Sequence, residues 1–78
     1  MSTQPLFHDL AAALRERREI IADEESRKNV EAHVARLRAI SERIESLAAA
    51  LPRPLHPQLE HFLERKSYDK ALELLDSH

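Results

Sequence analysis

Cysteine is absent from this chain of 78 residues, and so are glycine and tryptophan. Without a thiol there can be no disulfide, no thiolate nucleophile and no cysteine-based zinc site. Without glycine the tight turns of a β-rich fold lack their usual residue, and no stretch alternates apolar with polar side chains for long. Aromatics make up only 4%, too few to interleave with basic residues as base-stacking platforms. A dominant charge is also lacking: 12 basic and 14 acidic residues, interspersed along the chain, leave a net charge of -2. Such a mixture offers no broad field to attract nucleic acid or an anionic membrane, so neither is an expected partner. No apolar run approaches the roughly 20 residues of a bilayer span. Met1 to Leu14 shows no basic start, no uninterrupted apolar stretch and no export cleavage pattern, and the expected location is the cytoplasm.

What remains is a helical composition. Hydrophobic residues at 42% and charged residues at 33% are the mix of a folded chain rather than a disordered one. All four prolines, Pro5, Pro52, Pro54 and Pro57, fall outside the periodic segments or at their edges. The expected fold class is all-α. One small domain over 1–78 would be only marginally stable by itself, and a partner surface would help it.

The first helix is expected to start near Ser2 or Thr3, with Pro5 tolerated in the opening turn. Phe7, Leu10, Leu14 and Ile21 fit the a and d places of a heptad, with Arg17 in the vacant d. The second periodic segment is stronger. Val30, Leu37, Ile44 and Leu51 recur every seven residues; His33, Ile40 and Leu47 fall three after the first three of these, and Val34 widens the stripe. Whether the two segments form one long helix or a hairpin turns on residues 22–29. Continuing the Phe7, Leu14, Ile21 series by sevens lands on Lys28, Ala35 and Glu42, so the first seam runs onto the polar face of the second. Ala22 to Asn29 holds no large apolar residue, Asn29 suits an N-cap before Val30, and Arg15, Arg17 and Arg18 lie towards the end of the first segment, where the helix dipole favours cations. A hairpin is the favoured reading; a continuous helix, supported by pairs such as Glu24 with Lys28, is the alternative.

Leu51-Pro52-Arg53-Pro54-Leu55-His56-Pro57 stops the second helix. Leu55, Leu59, Phe62 and Leu63 then follow helical spacing, as do Tyr68, Ala71, Leu72 and Leu75 after a Ser67 cap. Over about the last twenty residues, Phe62, Tyr68, Ala71 and Leu75 resemble the packing positions of a tetratricopeptide helix pair. The resemblance implies the same local packing of two short helices. Leu59 stands where that family prefers a small residue, Lys66 replaces its turn glycine and no second copy lies upstream, so no peptide-binding groove is carried over.

Chemistry-bearing constellations are sparse. His8, His33, His56, His61 and His78 include no pair at i, i+3 or i+4, and no Glu-x-x-His occurs, so no metal site is expected. His33, at a d-like position, is the one histidine whose protonation could act on a helix seam. The carboxylates Asp23, Glu24 and Glu25, and Glu60 with Glu64, lie on faces expected to be solvated, with no phosphate loop or nucleophile motif beside them. Arg36, Arg43 and Arg53 are separated by Glu42 and Glu45, as a solubilising helix surface would be. Pro54-Leu55-His56-Pro57 matches a minimal PxxP ligand but has a sufficient local role as helix stop and start.

The reading that follows is a helical hairpin over 4–51, a Pro-rich linker over 52–57 and a short antiparallel helix pair over 58–78. No enzyme activity and no cofactor are expected. The expected role is protein interaction or scaffolding through a homodimeric bundle, with Val30, Val34, Leu37, Ile40, Ile44, Leu47, Leu51, Phe62 and Tyr68 as interaction residues. Flanking charges such as Arg36, Arg38, Glu42 and Arg43 would set specificity, and parallel and antiparallel association both remain open. Two alternatives are a monomeric module holding a partner helix on Phe62, Tyr68 and Leu74, and a histidine-based metal or pH-responsive regulator.

Overall fold

The computed structural model describes residues 4–77. Ser2 and Thr3, the expected caps of the first helix, lie outside the described residues. Among those described there are five helices and no strand: α1 (Gln4–Ala22), α2 (Glu24–Lys28), α3 (Val30–Ala50), α4 (Pro57–Glu64) and α5 (Tyr68–Asp76). The all-α expectation is borne out.

The stretch 22–29 is interrupted twice, each time by a side chain that competes with the helical backbone. Asp23 is extended (φ -82, ψ 102) and its carboxylate accepts from the Glu25 and Ser26 amides, which caps the five-residue α2. Asn29 is extended in turn (φ -107, ψ 94), and its side-chain oxygen accepts from the Ala32 amide at 3.1 Å, as an N-cap of α3 should. The Arg27 guanidinium donates to the Ile21 carbonyl and so satisfies one of the orphan acceptors at the end of α1. The helical run is thus broken at Asp23 and again at Asn29, and Lys28 pairs with Glu25 at 3.0 Å rather than with Glu24.

Helix α1 is the hub. It packs against α3 and α5, α2 packs against α3 and α1, and α4 leans on α5. Leu10 and Leu14 of α1, Ile40 and Ile44 of α3, and Tyr68 and Leu72 of α5 meet in one core, extended by Leu51, Leu55 and Leu59. Each large aliphatic side chain buried there contributes about 1.5–3 kcal/mol. Ala13 and Ala71 are also buried, and their small side chains let helix axes come close.

Arg15, Arg17 and Arg18 do not sit in the last turn of α1, which runs on to Ala22. They hold α5 instead. Arg15 pairs with Asp76, Arg18 with Asp69 at 3.6 Å, and the Arg17 guanidinium lies 5.1 Å from the centroid of the Tyr68 ring.

Between α4 and α5 the chain turns without glycine. Lys66 takes the left-handed conformation at φ 57; its amide donates to the Leu63 carbonyl at 3.2 Å, and the Ser67 amide donates to the Phe62 carbonyl at 2.8 Å. These two bonds are the Schellman arrangement that ends many helices. Ser67 occupies the N-cap position of α5 without making a side-chain capping bond. The linker ends one residue earlier than expected, because Pro57 is already in α4 and the His56 ring accepts from the Gln58 amide at 3.2 Å.

The molecule measures 41 × 20 × 20 Å, with a radius of gyration of 13.2 Å. A spherical chain of this length would have about 11.5 Å, so the particle is elongated. The α4–α5 turn meets α3 where Lys66 pairs with Glu45 at 3.2 Å, in the second half of that helix.

Candidate interaction surface

A 21-residue helix whose stripe recurs at i, i+4 and i+7 should bury that stripe along its whole length if something lies against all of it. In α3 the stripe divides instead. Ile40 and Ile44, with Leu51 just beyond the helix, are buried in their own chain, and Leu37 and Leu47 are half-buried against the same core. Val30 and Val34, in the first turns, are 68% and 47% exposed, the exposed large hydrophobic residues among those described. The ridge is therefore not one open surface, and the candidate surface narrows to its N-terminal end.

The cause lies in the docking of the other helices. The α4–α5 pair packs through α5 onto α1 and shares the core with Ile40 and Ile44 in the middle of α3, with Lys66 paired to Glu45, while α2 is a single turn and a half with no buried residue. Nothing long enough to shelter Val30 and Val34 lies beside them. An open groove remains on this flank, lined by Val30, Glu31, Val34, Ala35 and Arg38. At 100° per residue Val30 and Val34 stand beside the buried stripe, whereas Glu31, Ala35 and Arg38 lie towards the opposite side of the helix. Glu31 and Arg38 are two turns apart, about 10 Å along the axis, too far to pair with each other. Neither has an ion-pair partner among the described residues.

Phe62 and Tyr68 part company. Tyr68 is buried beneath Arg17, whereas Phe62 is half-buried and lines a second open groove with Lys70, Glu73, Leu74 and Ser77. A helix-binding surface on α4 and α5 would thus have Phe62 and Leu74 without the tyrosine.

His33 is half-buried and engaged. Its Nδ1 lies 2.9 Å from Ser26 Oγ, which accepts from Arg36 Nη1 at 2.8 Å; Arg36 in turn stands 3.9 Å from the Asp23 carboxylate. The cluster ties α2 to α3 and was not legible in the sequence, because it depends on how sharply the chain bends at Asp23 and Asn29. Among the described residues no group of three His, Asp or Glu side chains could hold a metal ion. None of the described helices is long and apolar enough to cross a membrane.

No family model, no curated protein and no solved structure matches this chain. Its surface must speak for itself.

Proposed function

We propose that this is a non-enzymatic interaction or scaffold protein, which works by homodimeric packing of the α1–α3 hairpin into a larger helical bundle. The observation that carries this reading is the exposure of Val30 and Val34 at the open end of the longest helix. Aliphatic side chains placed in register with a buried stripe, yet left in water, lose the burial their spacing is suited to, and a second helix laid over them recovers it. The elongated shape leaves this end of α1 and α3 accessible, and a small core gains from any surface it can share.

Sedimentation or light scattering over a concentration series tests the proposal. The mass should rise from 9.0 kDa towards twice that value. A constant 9.0 kDa up to about 1 mM, which leaves less than about 4 kcal/mol for self-association, would overturn it. That outcome would instead favour a monomeric module that holds a partner helix on Phe62 and Leu74, whose groove is open in the free chain.

A further inference from the structure

We infer that the second copy docks antiparallel on the first half of α3, about a two-fold axis between Val34 and Ala35, so that Glu31 of each chain pairs with Arg38 of the other. The inference rests on the homodimer reading and adds the surface, direction and register.

The charge pattern selects these. Glu31 and Arg38 are both exposed, both without an ion-pair partner among the described residues, and both line the groove that holds Val34 and Ala35. They lie three positions to either side of the Val34 and Ala35 pair. Reversing the helix about the midpoint of that pair exchanges Glu31 with Arg38, so two antiparallel copies bring opposite charges level at both ends of the contact. A parallel contact in register would set Glu31 against Glu31 and Arg38 against Arg38, and like charges held face to face disfavour it. The groove is thus complementary to itself in one direction only, as an isologous interface requires.

Packing agrees with the charges. At the axis Val34 meets its own counterpart on one side and Ala35 meets its own on the other, and the small alanine permits a close approach of the two helices. Val30, further out, adds apolar area beside the aliphatic stem of the second copy's Arg38. Ten residues, from Val30 to Ala39, give a contact only about 15 Å long. That is far smaller than the roughly 800 Å² per partner of a standard stable complex, so the association is weak and reversible.

Charge exchange and cysteine scanning test the register, with helicity by circular dichroism as the folding control; all substituted positions are exposed. Arg38→Glu alone turns two attractions into two repulsions and should raise the dimer dissociation constant about fivefold or more at low salt. Glu31→Arg alone should do the same, and Glu31→Arg with Arg38→Glu in one chain should restore the affinity to within about twofold. The chain has no cysteine, so single substitutions report cleanly. Val34→Cys should give a disulfide-linked dimer on mild oxidation. Glu31→Cys and Arg38→Cys should each fail alone, because identical positions then lie about 10 Å apart along the axis, beyond the roughly 7 Å between Cα atoms that a disulfide spans. Mixed together, those two variants should link. If Glu31→Cys and Arg38→Cys link alone as readily as Val34→Cys, or if the charge variants leave a clear dimer unchanged, the register is wrong and the homodimer still stands. A wild-type chain that stays monomeric sinks both.

Discussion

Lys66 sits where most chains would place glycine. A side chain in the left-handed region crowds the following carbonyl, at a cost on the order of 1 kcal/mol, and Lys66 adopts it at φ 57 because the two Schellman bonds demand it. Its ion pair with Glu45 offers little return, since the two side chains are 68% and 55% exposed. Lys66→Gly is therefore expected to stabilise the fold by about 0.5–1 kcal/mol, read as a rise of several degrees in the melting midpoint. Asn29→Ala should act in the opposite direction by about 1 kcal/mol through loss of the Ala32 amide bond. The Asn29 cap was legible because a good capping residue stands directly before a strong apolar period. The handedness of Lys66 was not, because lysine has no preference for it and the Schellman bonds that impose it appear only in the folded turn between α4 and α5.

At the scale of elements, α5 is fastened to α1 by two kinds of contact that differ in strength. The Arg15 and Arg18 ion pairs are half-exposed, so replacing both arginines with alanine should change stability by no more than about 1 kcal/mol. Tyr68 fills the core between the two helices, and Tyr68→Ala should cost about 3 kcal/mol in chemical denaturation and loosen α5. Helix α2 is the weakest element. It buries no residue and is held by the Asp23 cap and by the Ser26, His33 and Arg36 cluster, so its amides should exchange with solvent well before those of α1 and α3. The existence of the two long helices could be read from periodicity. The third short helix between them could not, because five residues without an apolar face carry no period, although Asp23 followed by two glutamates is a capping signal that a closer reading could use.

For the molecule as a whole, the consequence of α5 docking on α1 is an uneven cover: one end of α3 is enclosed and the other is left with Val30 and Val34 in water. If the proposed dimer forms there, Val34→Glu should abolish self-association while leaving helicity unchanged. Added salt should weaken the wild-type dimer, through screening of the Glu31 and Arg38 pairs, more than it affects unfolding of the monomer. Composition and period were enough to establish an all-helical chain, its two long apolar stripes and the capping residue between them, because these follow from side-chain spacing within a few turns. Which half of a stripe meets its own chain, which arginines hold a neighbouring helix and where a histidine finds a serine were decided only by the tertiary structure. Those outcomes depend on the angle at which distant segments dock, and that angle is set by the summed packing of α1 against α3 and α5, which no single segment encodes.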